Sequence, residues 1–123
     1  MRLEEVVKIV RGVVLNPQVS LNRDVKGACG ADLMSDVLAS IQPDALLLTG
    51  LTNLQVVRTA QMADVRAIVL VRGKKAQPEM LELATQENIP VISSPYGMFE
   101  LCGRLHKAGL PSLESQMPTE SHA

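Results

Sequence analysis

Three stretches of the chain repeat one pattern, in which a short apolar run leads through a polar turn into a segment with apolar residues at helical spacing. The apolar runs lie in DALLLTG, RAIVLVRG and PVISS, and the helical segments in LQVVRTAQMA, PEMLELATQEN and PYGMFELCGRLHKAG. Uninterrupted apolar runs between helices are typical of parallel strands that are buried under helices. The pattern therefore predicts a single α/β domain with a mainly parallel β-sheet and helices on both faces.

Two further helices are predicted before the repeats. Apolar residues at positions 3, 6, 7 and 10 line one face of a short helix that ends near Gly12. Residues 31–41 have similar spacing, and Asp32 or an adjacent residue can cap the start of that helix. Between the two helices, VVLN and VSLNRDVKGACG are β-rich pieces broken by turn residues, and their pairing in the sheet stays open.

The helices of the repeats carry boundary signals of their own. Thr52 and Gln55 have the spacing of a capping box at the start of the first helix. Pro78 suits the first position of the second helix, and Ser94 can cap the third. Gly109 stands where the third helix is expected to end.

The chain length and the composition of its last residues predict the domain organisation. A chain of 123 residues fits one compact domain. Beyond Gly109, the segment LPSLESQMPTESHA has no apolar period and is rich in Ser, Pro and Glu. We therefore predict one domain over residues 1–109 and a disordered C-terminal tail over residues 110–123.

Composition narrows the classes of function. Lys and Arg number 12 against 13 Asp and Glu, so no strong net charge attracts nucleic acid or an anionic membrane. Tyr96 and Phe99 are the only aromatic residues, which leaves almost no platform for stacking bases. The N-terminus lacks the pattern of a signal peptide, and no apolar run reaches the roughly 20 residues of a membrane span. We expect a cytoplasmic protein that binds neither nucleic acid nor membranes.

Polar residues follow all three strands of the repeats. In parallel α/β sheets, ligands bind beyond the carboxyl ends of the strands, where loops and helix N-termini meet. Hydroxyl groups, backbone N–H groups and cations at that edge suit an anion such as a phosphate. Each side chain taken alone also has a structural explanation, as a helix cap or a solvated charge. The predicted ligand-binding residues are Thr49, Gly50, Thr52, Asn53, Arg72, Gly73, Lys74, Lys75, Ser93 and Ser94.

The sequence offers little for catalysis or metal binding. It has no GxSxG elbow and no GxxxxGK[ST] phosphate loop. Cys29 and Cys102 form no CxxC pair and fit packed, reduced thiols. His106 follows Cys102 by one helical turn, but a metal site needs three or four ligands, and the other histidine is His122 in the predicted tail. We predict no catalytic or metal-binding residues, and no cofactor is indicated.

The order of these pieces resembles the DRTGG domain over about residues 1–109. The resemblance lies in the turn before NLQVVRTA, in the strand end IVLVRG, and in IPVISSPYGMFE, where the family has a proline-bounded strand followed by a Ser/Thr-Pro turn. Two turns depart from the family pattern. The acidic-basic pair typical of the first turn is replaced by LTN, and the Thr-Gly-Gly of the next strand end by VRG.

The resemblance implies a regulatory or assembly role, often through self-association, with no established chemistry. Such domains occur beside CBS domains in family II pyrophosphatases, in some phosphotransacetylases and as small stand-alone proteins. They are similar in fold to the N-terminal domain of HPr kinase/phosphorylase, whose phosphoryl transfer resides in a separate P-loop domain. Kinase activity is therefore not implied for this chain.

Two functional hypotheses remain open at this stage. In the first, the protein is a non-catalytic regulatory or assembly module that forms a homodimer, binds a phosphorylated small molecule or nucleotide, and acts on an unidentified protein partner. In the second, it is a small enzyme or metal-dependent accessory protein that uses Cys29, Cys102 or His106. The missing catalytic motifs favour the first.

Overall fold

A computed structural model describes residues 1–116, which form a five-stranded sheet flanked by helices. The chain order of the elements is helix, two strands, then helix and strand in alternation up to a last helix. The strands are β1 (Val13–Val14), β2 (Gly27–Gly30), β3 (Ala45–Thr49), β4 (Ala67–Leu70) and β5 (Val91–Ser93). The helices are α1 (Leu3–Ile9), α2 (Met34–Ser40), α3 (Leu54–Met62), α4 (Pro78–Gln86) and α5 (Met98–Lys107).

The strand order in the sheet is β1-β5-β4-β3-β2. Strands β2 to β5 run parallel, whereas β1 pairs antiparallel with β5. The prediction of a mainly parallel α/β sheet is therefore confirmed. The two β-rich pieces whose pairing was open lie at opposite edges of the sheet. The three repeats supply neighbouring strands, so the turns that follow these strands lie side by side.

The core is divided between the two faces of the sheet. Successive side chains of a strand point to opposite faces. In β3, Leu46 and Leu48 pack in the cluster that contains residues of α1 and α5, whereas Leu47 packs in the cluster that contains residues of α2, α3 and α4. Helices thus cover both faces, as predicted, and the sheet holds its strand ends in fixed positions.

The segment after α5 runs along the outer edge of β2. The Ala28 N–H group donates to the Pro111 carbonyl at 2.9 Å, and the Leu113 N–H group donates to the Ala28 carbonyl at 2.9 Å. This pairing covers an edge that would otherwise expose unpaired backbone groups. The prediction of a disordered tail did not anticipate these hydrogen bonds, because backbone pairing needs no apolar period. Residues 117–123 of that tail lie outside the described residues.

Two of the predicted helix boundaries are confirmed. Pro78 begins α4, and Gly109 follows α5 with a φ of 102°, a conformation that favours glycine. The helix predicted over residues 31–41 is shorter in the structure, where α2 runs from Met34 to Ser40. Its N-cap residue, Leu33, makes no side-chain hydrogen bond, so Asp32 does not cap this helix. Within residues 1–116, no helix is long and apolar enough to cross a bilayer.

The predicted caps at Thr52 and Ser94 are wrong. Asn53 caps α3 instead, because its side-chain oxygen accepts a hydrogen bond from the Gln55 N–H group at 3.1 Å. The Ser94 hydroxyl is buried and donates to the Val10 carbonyl at 2.7 Å, which ties β5 to the end of α1. In both corrections a polar side chain bonds to a backbone group, which is two residues away for Asn53 and in a distant part of the sequence for Ser94.

Candidate functional site

The turns after β2, β3 and β4 border a groove of about 460 Å³ at the carboxyl edge of the sheet. The first residue of α5 lies on one side of it. We call this space the carboxyl-edge groove. It is lined by Gly30, Ala31, Asp32, Gly50, Val71, Arg72, Lys74 and Met98.

The turn after β4 places Arg72 over the start of α5. Arg72 and Gly73 have φ values of 59° and 65°, so both adopt the left-handed conformation. Their N–H groups donate to the carbonyls of Tyr96 at 2.8 Å and Ser94 at 2.6 Å, which fixes this turn against the one after β5. The Arg72 side chain then passes Gly97, where an added Cβ would lie 3.9 Å from Arg72 Nε.

Lys74 reaches back across the edge to the turn after β3. Its Nζ donates to the Gly50 carbonyl at 2.9 Å, and its own carbonyl accepts a hydrogen bond from Ser93 Oγ at 2.7 Å. A Cβ at Gly50 would lie 3.2 Å from Lys74 Nζ and 3.4 Å from Asp32 Oδ1. The absence of a side chain at Gly50 therefore leaves room for both charged groups.

Asp32 joins the site from the turn after β2. Its Oδ1 accepts hydrogen bonds from the Gly50 N–H group at 2.7 Å and from Thr49 Oγ1 at 3.1 Å. Sequence reasoning assigned Asp32 to a helix cap and missed this position. The signal that could have found it is its place two residues after a strand, but the GACG strand has none of the large apolar residues that mark the other parallel strands.

The N-terminus of α5 adds backbone donors next to Arg72. The first N–H groups of a helix have no partner within the helix. At Gly97, the N-cap residue of α5, no side chain accepts a hydrogen bond from them. Met98 follows at once and lines the groove, so the positive end of the helix dipole lies at its border.

The carboxyl-edge groove holds two cations that have no carboxylate partner among the described residues. Arg72 and Lys74 are exposed, and neither forms an ion pair within 4 Å with a carboxylate of residues 1–116. Asp32 offsets part of this charge. The arrangement can hold an anionic group between Arg72, Lys74 and the α5 N-terminus, with Asp32 at its side.

Comparison with known families is decisive for the fold. The family model of the DRTGG domain matches residues 5–108. The chain belongs to the DRTGG domain family. No curated protein sequence matches this DRTGG domain.

A solved structure with the same fold comes from the regulatory region of a pyrophosphatase. The chain is similar to the CBS and DRTGG domains of the regulatory region of Clostridium perfringens pyrophosphatase, which was solved in complex with its activator, diadenosine tetraphosphate. The TM-score is 0.69 at 19% sequence identity, with 98% of this chain and 52% of that chain covered. This DRTGG domain thus spans about half the length of that structure. At this identity the likeness concerns the fold alone.

The structure brings together three of the predicted ligand-binding residues, namely Gly50, Arg72 and Lys74. The buried Thr49 serves the backbone by accepting from the Leu51 N–H group at 3.2 Å. The part of the other predicted residues in binding stays a prediction. The predicted residues that do not line the groove are Thr49, Thr52, Asn53, Gly73, Lys75, Ser93 and Ser94.

The cysteines of the DRTGG domain are poorly suited to nucleophilic or metal chemistry. Burial first, and then Glu114, raise the pKa of the Cys29 thiol to about 12, and burial raises the pKa of Cys102 as well. Both thiols are therefore protonated at neutral pH, whereas the thiolate is the nucleophile and the ligand. In the part of the chain that the structure describes, no three His, Cys, Asp or Glu side chains are grouped so that they could hold a metal ion. His122 lies outside that part.

Proposed function

We propose that this DRTGG domain is a non-catalytic regulatory module that binds a small phosphate-containing ligand in the carboxyl-edge groove. The observation that carries the proposal is the convergence of Arg72, Lys74 and the uncapped N-terminus of α5 on one groove. Cations and helix N-termini are the groups that proteins use for phosphates. Of the two hypotheses, this one has a site whose geometry supports it.

The similar pyrophosphatase regulatory region supports the chemical class of the ligand. That protein was solved with a nucleotide activator, diadenosine tetraphosphate. Because this chain spans about half of that structure, the position of the activator there is not carried over. What supports a phosphorylated ligand here is the combination of a shared fold with the two cations of the groove.

A direct test measures the melting temperature and calorimetric binding of the protein with AMP, ATP and pyrophosphate. A ligand that binds only the folded state raises the melting temperature. We expect binding of at least one of these compounds, and a loss of about 10-fold in affinity for Arg72→Ala, since a hydrogen bond to a charged group contributes about 1.5 to 3 kcal/mol.

Lys75→Ala is the matched control for that test. It removes a cation next to Lys74 that does not line the groove, so affinity should change less than twofold. If the wild-type protein binds no phosphorylated compound at millimolar concentration, the proposed function is wrong.

We also propose that the domain forms a homodimer. The supporting feature is the outer edge of β1, which lies at the end of the sheet and has no strand beside it among the described residues. Val13 on this strand is 64% exposed. An exposed strand edge with apolar side chains is a template for pairing with a second chain. Light scattering that gives the monomer mass at tens of micromolar protein would contradict this proposal.

A further inference from the structure

We infer that Asp32 makes the carboxyl-edge groove selective for a phosphorylated ligand that carries free hydroxyl groups, such as a ribonucleotide or a sugar phosphate, over bare phosphate. The inference rests on the proposed function, because it concerns which phosphate-containing ligand this groove accepts. Asp32 adds a hydrogen-bond acceptor to a groove whose other charged residues are cations.

The carboxylate of Asp32 is held in a fixed orientation with one oxygen left over. Oδ1 accepts hydrogen bonds from the Gly50 N–H group and from Thr49 Oγ1. Oδ2 accepts no hydrogen bond from residues 1–116. It lies close to Gly50 as well, at 3.5 Å from the position that an added Gly50 Cβ would take. Oδ1 thus fixes the turn after β3, and Oδ2 is available to a ligand.

Asp32 and Lys74 flank Gly50 without forming an ion pair. The Lys74 ammonium group and Asp32 Oδ1 lie 3.2 and 3.4 Å from the position of an added Gly50 Cβ. A ligand bound here meets a cation and a carboxylate at almost the same place. The Lys74 ammonium group attracts a bare phosphate, whereas the Asp32 carboxylate repels it. The pair is therefore ill suited to a simple anion.

An ionised carboxylate only accepts hydrogen bonds, and it therefore needs a donor on the ligand. A hydroxyl group a few bonds away from a phosphate provides one. Carboxylates bind ribose hydroxyls in this way in dinucleotide sites of other α/β folds. Ala31, Val71 and Met98 supply an apolar lining for the carbon skeleton between the two polar ends.

The competing explanation is that Asp32 only fixes the turn after β3. Asp32→Asn separates this structural role from a role in ligand binding. The amide oxygen of Asn can accept the same two hydrogen bonds from Gly50 and Thr49. The second oxygen becomes an NH₂ donor, and the negative charge is lost. Asp36→Asn, which makes the same change on an exposed residue of α2 outside the groove, is the matched control.

The experiment titrates wild type, Asp32→Asn and Asp36→Asn with AMP, 2′,3′-dideoxy-AMP, ribose 5-phosphate and pyrophosphate by calorimetry. Wild type should bind AMP about 10-fold more tightly than the dideoxy compound. Asp32→Asn should reduce that difference, because a hydrogen bond between the neutral amide and a hydroxyl group is weaker than one to a carboxylate, and it should bind pyrophosphate more tightly than wild type does. Asp36→Asn should behave as wild type. Ribose 5-phosphate binding as tightly as AMP would identify a sugar phosphate, and weaker binding a nucleotide.

The outcomes separate this inference from the proposed function. If wild type binds AMP and the dideoxy compound equally, Asp32 does not select hydroxyl groups and the inference is wrong, while phosphate binding by the groove stands. That comparison needs no variant to fold. If wild type binds none of the four compounds, the proposed function fails and the inference fails with it.

Discussion

The two ends of the sheet carry grooves of the same size, about 460 Å³ each, but they use their charged residues differently. The carboxyl-edge groove lies where strands β2, β3 and β4 end. The amino-edge groove lies where the strands of the repeats begin, next to Asp44, Arg66 and Asn88. Both grooves contain arginine and aspartate, so composition does not distinguish them.

Hydrogen bonds and ion pairs do distinguish them. At the amino edge, Asp44 pairs with Lys26 at 3.3 Å and with Arg66 at 3.7 Å. The Arg23 guanidinium donates to the carbonyls of Asn88 at 2.9 Å and Arg66 at 3.3 Å. At the carboxyl edge, Lys74 also donates to a backbone carbonyl, that of Gly50 at 2.9 Å, but neither Lys74 nor Arg72 has a carboxylate partner within residues 1–116. From this comparison we expect a ligand where the cations of a groove lack a carboxylate partner, and a structural role where they have one.

The largest effect is expected from Asn16, which holds the amino edge together from inside. Asn16 is 1% exposed, its Nδ2 donates to the Ile89 carbonyl at 2.9 Å, and its Oδ1 accepts from the Val91 N–H group at 2.8 Å. Asn16→Ala leaves both backbone groups buried without a partner, so the free energy of unfolding should fall by about 2 to 4 kcal/mol. Urea unfolding measures it.

Gln18→Ala, an exposed change in the same loop, is the control for Asn16 and should alter the free energy of unfolding by less than about 0.5 kcal/mol. Ligand affinity should be the same in both variants under conditions where they are folded. A loss below about 1 kcal/mol for Asn16→Ala would show that water replaces the missing amide.

The second effect in size concerns the carboxyl edge. The double variant Arg72→Ala, Lys74→Ala removes both unpaired cations of the groove, and affinity for the bound phosphorylated compound should fall about 100-fold, or about 2.7 kcal/mol. The free energy of unfolding should change little, because both side chains are exposed. Calorimetry and urea unfolding on the same samples test both statements. A double variant that loses stability and keeps affinity would reverse the comparison between the two edges.

A smaller effect is expected from Gly50→Ala. The added methyl group would lie 3.2 Å from Lys74 Nζ, so the flexible lysine must shift its ammonium group by a few tenths of an ångström and weaken its hydrogen bond to the Gly50 carbonyl. We expect affinity to fall about 10-fold, with the free energy of unfolding unchanged or raised by about 0.4 to 1 kcal/mol, as for other Gly→Ala changes at ordinary backbone angles. Gly103→Ala, where the methyl group meets no atom within 4 Å, is the control. Unchanged affinity in Gly50→Ala would show that the ammonium position is not needed.

The fold of the repeats was predictable because its signals are local. Apolar strands such as residues 45–49, and boundary residues such as Pro78, act on their immediate neighbours in sequence. The position of β2 beside β3 was not predictable, because the β-rich piece that contains GACG carries no signal of its partner strand, and strand order is decided by tertiary packing. Asp32 was misassigned for that reason.

The candidate site was predictable only in part. The principle that ligands bind at the carboxyl edge correctly grouped Gly50, Arg72 and Lys74. It could not separate these from Thr49 and Ser94, because a hydroxyl group that satisfies a buried backbone group looks the same in sequence as one that meets a ligand. Only the pairing of each polar atom in the folded chain makes that distinction.

The smallest effect is expected at the amino edge, from the exposed ion pair of Arg66 with Asp44. Their side chains are 46% and 35% exposed, and the two closest atoms are 3.7 Å apart. Exposed pairs of this kind contribute about 0 to 1 kcal/mol, so Arg66→Ala should lower the free energy of unfolding by less than about 1 kcal/mol. Arg58→Ala, at an exposed position of α3, is the control for removing an arginine side chain from the surface. Affinity for phosphorylated compounds should stay unchanged in both variants, because Arg66 is already paired. If Arg66→Ala weakened binding as much as Arg72→Ala, the amino-edge groove would be a binding site too, and the rule that separates paired from unpaired charges would not hold for this protein.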